Sequence, residues 1–331
     1  MSTPIRLGTR RSALAQAQSG HVAAALEKVT GRPVELVTIT SEGDTNRASL
    51  SEIGGQGIFA TRLREALFAG ECDFLVHSLK DLPTAIPEGL VIAATPKRED
   101  ARDVVLTRLG IPLHELRSGS TVGTGSPRRI AQVRRRAPYA EVVDIRGNVD
   151  SRLARVASGE LDAVILAAAG LSRLGAESRL RREELGLAEW PTAPGQGSLA
   201  VEARKDAPAE LLEALAALDD EETRLAITVE RAVLEGLDAG CQAPMAAHAV
   251  VEGPSIRVRT VVYAPDGGRR IGLDVTEDLN GEYIRRNGSG NGADAADGAD
   301  PMHAARELGI SVARRLLDQG AAGLVSREQS L

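Results

Sequence analysis

The chain has 331 residues, 46 acidic against 40 basic, a formal net charge of −6, 43% hydrophobic residues and two cysteines. That length is too great for one ordinary core and fits two or three domains of roughly 100–200 residues, while no run approaches the ~20 apolar residues that span a bilayer. Seven aromatic residues (three Phe, three Tyr, one Trp) and an acidic balance argue against a nucleic-acid binder, which would need stacking platforms and a basic footprint.

In chain order, short apolar runs alternate with helical patterns, as in α/β architecture. Ile5 to Gly8 reads as a strand, Ser12 as the cap of a helix to about Lys28, Val34 to Thr40 as a second strand, Phe59 to Ala69 as a helix and Phe74 to His77 as a strand. Pro83, Pro87, Pro96 and the charged run Lys97 to Arg102 then read as a crossover into another unit. Its strands are Thr121 to Gly123, Glu141 to Ile145 and Ala163 to Ala167, each followed by a turn and a helix. Pro191 to Gly197 reads as the return crossing, so that Ser198 to Ala203 can rejoin the first sheet. A helix from about Glu221, a glycine-rich loop around Cys241, strands near Ala246 to Val251, Ile256 to Val262 and Arg270 to Val275, and a helix from about Met302 make a small α+β unit. Asn280 to Asp300 is mostly Gly, Asn, Ala and Asp with little to bury and reads as a surface insertion. The domains expected are therefore 1–97 with 198–219, 98–197, and 220–331.

Lysine occurs only at 28, 80, 97 and 205, so the basic residues are nearly all arginine. GC-rich coding would produce that, and so would a need for planar forks that grip carboxylate or phosphate. Arginines recur where strands turn into helices, the rim on which open α/β sheets bind ligands. Arg10 and Arg11 follow the first strand, Arg128 and Arg129 follow Thr121-Val-Gly-Thr-Gly-Ser-Pro127, Arg146 ends the strand in Asp-Ile-Arg-Gly-Asn, Arg152 lies in the next helix, and Arg173 follows the strand after that. Singly each could be a solvated helix end; as a set they describe a cationic cleft for a multiply charged anion. Gly123 to Arg128 half-resembles a dinucleotide fingerprint but has Arg where the third Gly belongs. The triplet Arg134 to Arg136 reads as a solvated face. In His77-Ser78-Leu-Lys80-Asp81, the carboxylate beside a lysine is either an ordinary ion pair or a group that stabilises a cation and moves protons. Cys241, in a loop after a helix, suits covalent attachment or nucleophilic chemistry, whereas Cys72 beside Phe74 and Leu75 reads as structural. The cysteines lack metal-ligand spacing, and no metal site is expected.

Taken together, Gly8-Thr-Arg-Arg-Ser12, Val76-His-Ser-Leu-Lys-Asp81, Gly123-Thr-Gly-Ser-Pro-Arg-Arg129, Ile145-Arg-Gly-Asn148, Leu166-Ala-Ala-Ala-Gly-Leu171, Pro194-Gly-Gln-Gly197 and Gly240-Cys-Gln-Ala-Pro244 closely resemble the porphobilinogen deaminase (hydroxymethylbilane synthase) family over nearly the whole chain. The resemblance implies two domains folded like type II periplasmic binding proteins around a cleft, plus a small α+β C-terminal domain. It implies a transferase of tetrapyrrole biosynthesis that joins four porphobilinogen molecules head to tail, with loss of ammonia, and releases the linear tetrapyrrole with water. A dipyrromethane cofactor on a thioether to Cys241 primes the chain, and the catalytic carboxylate falls on Asp81. The carboxylates of cofactor and substrate fall to Arg10, Arg128, Arg129, Arg146, Arg152 and Arg173, with Ser12, Ser78, Lys80, Thr124 and Ser126 as further donors. The sequence departs from the common bacterial pattern at Gln56 and Thr61, where lysines often lie in a loop over the cleft, and in the 280–300 insertion. The chain is expected to act as a monomer in the cytoplasm, where no secretory signal precedes Ser12, and to hand its product to a uroporphyrinogen-III synthase. An anion receptor is the rival reading, but nothing in a receptor requires Asp81 or Cys241.

Overall fold

The computed structural model describes residues 3–40, 58–175, 180–238, 243–278 and 300–325. The first unit opens with β1 (Ile5–Thr9), α1 (Ala13–Thr30), β2 (Val34–Thr38), α2 (Ile58–Phe68) and β3 (Phe74–Ser78), followed by a 3-10 turn at Leu79–Asp81. As the sequence suggests, Ser12 caps α1 by accepting from Ala15 N at 3.3 Å, and Gly31, in the left-handed region at φ 66°, ends it. The stretch read as one crossover contains a strand of its own, β4 (Leu90–Ala94), before β5 (Asp103–Thr107) begins the second unit. That unit continues with β6 (Thr121–Gly123), α3 (Pro127–Arg136), β7 (Glu141–Val143), α4 (Val149–Ala157), β8 (Ala163–Ala167), α5 (Ala168–Leu174) and β9 (Arg181–Leu185). Only then does the chain return as β10 (Leu199–Arg204) and α6 (Ala209–Ala216).

The two sheets share one plan. The first has the order β2-β1-β3-β10-β4 and the second β7-β6-β8-β5-β9. In each, three parallel strands are followed by the strand that has just crossed from the other unit, antiparallel to both its neighbours. The α/β class and the paired arrangement expected from the resemblance are thus present in the hydrogen-bond ladders. Their C-terminal strand ends and the two crossings meet along one line. There Gly197 has φ 90°, and a Cβ on it would lie 2.4 Å from the carbonyl oxygen of Glu99, so neither the conformation nor the space admits a side chain.

The third unit is small and α+β. Helix α7 (Glu221–Gly236), capped by Asp220 accepting from Thr223 N at 2.9 Å, precedes a three-stranded antiparallel sheet of β11 (Met245–Glu252), β12 (Ser255–Tyr263) and β13 (Arg270–Asp278). The helices α8 (Pro301–Asp318) and α9 (Ala322–Val325) complete it. Leu225, Val229 and Val233 of α7 pack with Leu308, Val312 and Leu316 of α8 on Val258 and Val262 of the sheet. Leu, Val, Ile and Ala fill this core and those of the two larger sheets, in line with the scarcity of aromatics.

Buried carboxylates join what these separate cores leave apart. Glu202, fully buried on β10, accepts from Arg64 of α2 at 2.7 Å and lies 3.2 Å from His77 Nε2 of β3. Glu230, fully buried on α7, accepts from Arg98 Nη1 at 2.6 Å, Gly195 N at 2.6 Å and Ala249 N at 2.7 Å. It therefore binds the outgoing crossing, the return crossing and the third sheet at one point. Burial opposes both charges, but the facing Arg and His groups outweigh it and hold each carboxyl at about 2. A carboxyl so depressed stabilises the fold fully above its unfolded value of 4.5 and loses that contribution as pH falls towards 2. Each contributes on the order of 3 kcal/mol. Unfolding free energy should therefore drop steeply over that window in urea titrations, and Glu230→Gln should reduce the slope there; an unchanged slope would contradict this role.

Candidate active site

On the first sheet, β3 delivers the chain to the rim. Ser78 ends the strand and its hydroxyl pairs with the Gln18 amide of α1 at 2.9 Å. The 3-10 turn then places Lys80 half-buried and Asp81 exposed. Lys80 Nζ lies 3.5 Å from Gln196 Oε1 of the return crossing. Gln196 cannot turn away easily, because its Nε2 donates to Ala101 O and to Asp103 Oδ1, each at 2.8 Å. Arg10 and Ser12, half-buried, follow β1 on the same rim.

On the second sheet the organising group is Asp103, a residue the sequence did not single out. It is fully buried at the start of β5. One oxygen accepts from Arg128 Nη1 at 2.9 Å, Arg129 Nε at 3.1 Å and Trp190 Nε1 at 2.9 Å. The other accepts from Arg129 Nη2 at 2.6 Å and Gln196 Nε2 at 2.8 Å. Burial opposes this charge, but Arg128 and Arg129 overcome it and hold the carboxyl far below the ordinary range. The two arginines expected as open anion ligands are therefore buried, and much of their donor capacity is directed at Asp103; Arg129 also donates to Ile165 O at 3.0 Å. Arg128 Nε is buried with no hydrogen-bond partner. Thr124 is buried too, and its hydroxyl accepts from Ser126 N at 3.2 Å, while the Ser126 side chain makes no cap bond to α3.

Arg146 is exposed, with Asp144 at 3.8 Å, Arg152 donates to Gly147 O at 2.9 Å, and Arg173 donates to Gly197 O at 2.7 Å. The rims face each other electrostatically. Burial, with Arg129 and Arg146 nearby, lowers the Arg152 pKa, against the attraction of Asp144 and of Asp81 from the first sheet. Burial lowers that of Arg173 as well. Burial, reinforced by Arg129 and Arg128 against the attraction of Asp81 and Asp103, brings Lys80 down to about 8. Burial thus penalises the charged forms of Lys80, Arg152 and Arg173, a penalty that an entering carboxylate would offset.

The basic triplet is exposed, as expected of a solvated face, and two of its members also reach a neighbouring turn. Arg134 donates to Pro265 O at 2.7 Å and Arg135 to Gly267 O at 3.2 Å, fastening α3 to the turn between β12 and β13. Cys72 is buried and burial pushes its thiol up to about 11, so it is inert near neutral pH. Cys241, Gln56 and most of the 280–300 insertion lie outside the described residues. No described helix is long and apolar enough to cross a membrane, and among the described residues no group of three His, Cys, Asp or Glu gathers as for a metal.

Fold and site together define a three-unit α/β protein in which cations of two sheets gather about one exposed carboxylate. Residues 5–211 match the family model described as "Porphobilinogen deaminase, dipyromethane cofactor binding domain", and residues 224–318 match "Porphobilinogen deaminase, C-terminal domain". The chain is 48% identical to the porphobilinogen deaminase of Leifsonia xyli subsp. xyli, across 97% of this chain and 94% of that one. It is 49% identical to porphobilinogen deaminase 1 of Streptomyces coelicolor, across 97% of each. The chain belongs to the porphobilinogen deaminase family. Among solved structures, the methionine-binding protein MetQ overlaps 65% of this chain and 89% of its own at 13% identity and a TM-score of 0.40, too loose a likeness to carry function.

Asp103→Asn removes the charge that compensates two buried guanidiniums. It should cost about 3–5 kcal/mol, read as a lowered urea midpoint, with the Trp190 emission reporting the local change; an unaltered midpoint would remove Asp103 from this role.

Proposed function

We propose that the chain performs its family's reaction, the stepwise head-to-tail condensation of four porphobilinogen molecules with loss of ammonia, releasing the linear tetrapyrrole hydroxymethylbilane by hydrolysis. The observation that carries this reading is the meeting of one exposed carboxylate, Asp81, with cations from both sheets, Lys80 beside it and Arg152 opposite. A receptor for anions would use the cations but has no need of a carboxylate among them.

The donor set suits a dipyrromethane bearing carboxylates: Lys80, Arg152 and Arg173, whose charges burial penalises, and a buried Arg128 Nε without a partner. Bound through a thioether to Cys241, that cofactor supplies the pyrrole end on which the product grows. Inert Cys72 leaves Cys241 as the thiol suited to attachment. Lys80, Arg128 and Arg129, with Ser12, Ser78, Thr124 and Ser126, hold its carboxylates on this reading. Arg10, Arg146, Arg152 and Arg173 receive the acetate and propionate of incoming porphobilinogen or of the lengthening product. Asp81 stabilises the positive charge that develops when the amino group of the substrate's aminomethyl arm departs as ammonia and the methylene carbon left on the pyrrole becomes electron-poor. On the same reading it accepts the proton lost when the new carbon–carbon bond restores aromaticity. The domains are taken as 1–97 with 198–219, 98–197 and 220–331. The enzyme acts as a cytoplasmic monomer and passes its product to a uroporphyrinogen-III synthase.

Asp81→Asn should leave urea unfolding and cofactor content nearly unchanged while cutting kcat by about 10²–10⁴-fold. Ammonia release from porphobilinogen measures this directly, and near-normal turnover would exclude Asp81 as the reacting carboxylate.

A further inference from the structure

The turn that presents Asp81 is gripped from outside its own sheet. Before the carboxylate, Leu79 N donates to Ser198 O at 3.0 Å, and Leu82 N closes the 3-10 turn on Leu79 O at 3.1 Å. After it, the chain runs into Pro83 without a strand until Leu90. There a guanidinium from the third unit takes hold. Arg231 of α7 donates Nη1 to Leu82 O at 3.3 Å, and Nη2 to Pro83 O at 2.6 Å and to Thr84 O at 3.1 Å. Three successive carbonyls, all directly following Asp81, are thus fastened to one side chain some 147 to 149 positions away in sequence. Its neighbour on the helix, Glu230, fastens both crossings.

We propose that Arg231 is a positioning residue for Asp81: by fixing the carbonyls that follow the carboxylate, it makes α7 of the third unit, rather than the first sheet alone, set where Asp81 stands in the cleft. This rests on the reading of Asp81 as the reacting carboxylate. The planar guanidinium suits the task because its donors are arrayed in a rigid fork that meets several carbonyls at once. A lysine keeps the charge but not the fork. The expected consequence is kinetic, since displacement of a reacting group by ~1 Å costs on the order of 10²-fold in rate, while substrate carboxylates are held by other side chains.

The test uses holoenzyme in four forms: wild type, Arg231→Lys, Arg231→Met and Arg306→Met. The last removes an exposed pair between α8 and Glu235 of α7 and leaves the turn alone. Intact mass gives the cofactor load, hydrogen exchange reads the 79–85 peptide, and steady-state assays separate kcat from KM. Both Arg231 variants should exchange faster at 79–85 but not elsewhere, keep their cofactor, and lose about 10- to 100-fold in kcat with KM within about twofold; Arg306→Met should match wild type. Unchanged exchange at 79–85 with unchanged kcat in the Arg231 variants would overturn the proposal. So would a rise in exchange spread over the whole chain, or failure of both Arg231 variants to fold, which would make Arg231 a general strut. If wild type released no ammonia from porphobilinogen, the functional reading would fall instead, and the exchange data would still show whether Arg231 holds the turn.

Discussion

Glu230 is the point on which the three units depend. A carboxylate with no access to solvent must have its charge met inside the protein, and here it is met by Arg98 of the outgoing crossing, Gly195 of the return crossing and Ala249 of the third sheet. An unpaired buried charge is too costly to leave, so the units can separate only at the expense of this site. Gly197 lets the two crossings approach closely enough for that arrangement, and Arg173 reaches the same glycine's carbonyl from the second rim.

The same physics organises the cleft. Asp103 collects Arg128, Arg129, Trp190 and Gln196 at one buried carboxylate, and Gln196 carries the order onward to Lys80. The anion-seeking character of the site therefore comes from a rigid frame of paired charges. Among the described residues, Arg152 and Arg173 on its open side bond only backbone carbonyls, and burial penalises the charge of both, with neighbouring cations adding to the penalty at Arg152. A preorganised field of this kind requires little rearrangement when a polycarboxylate enters, and in the proposed reaction Asp81 is the carboxylate that acts on the positive charge of the reacting carbon.

Much of this was legible in the residues. The strand at Ile5, the Ser12 cap, the return of Ser198 to Ala203 into the first sheet and the α+β end of the chain all follow from apolar period, caps and turn residues. The strands Leu90–Ala94, Asp103–Thr107 and Arg181–Leu185 were missed. The first lies between prolines and the charged run, the second directly beyond that run, and the third is mostly charged, so none shows an alternating pattern. Asp103, Glu230 and Arg231 were invisible for another reason: each is an ordinary charged residue in sequence and becomes special only through partners 25 or more positions away, save His248 and the backbone of Ala249 beside Glu230. The signal available for Asp103 was an acid just past the charged run and heading the apolar run Val104 to Leu106. The triplet Arg134 to Arg136 is exposed as its charge pattern suggests, while periodicity cannot show that a neighbouring turn offers carbonyls to two of its members.

The account stands or falls on covalent priming at Cys241. Intact-protein mass spectrometry of the purified chain, with and without porphobilinogen, followed by mapping of the modified peptide, tests it most directly. The account predicts a dipyrrole on the Cys241 peptide that gains discrete pyrrole increments with substrate. A bare Cys241 after incubation of the apoprotein with porphobilinogen and with preformed hydroxymethylbilane would contradict it and leave the cleft as an anion receptor.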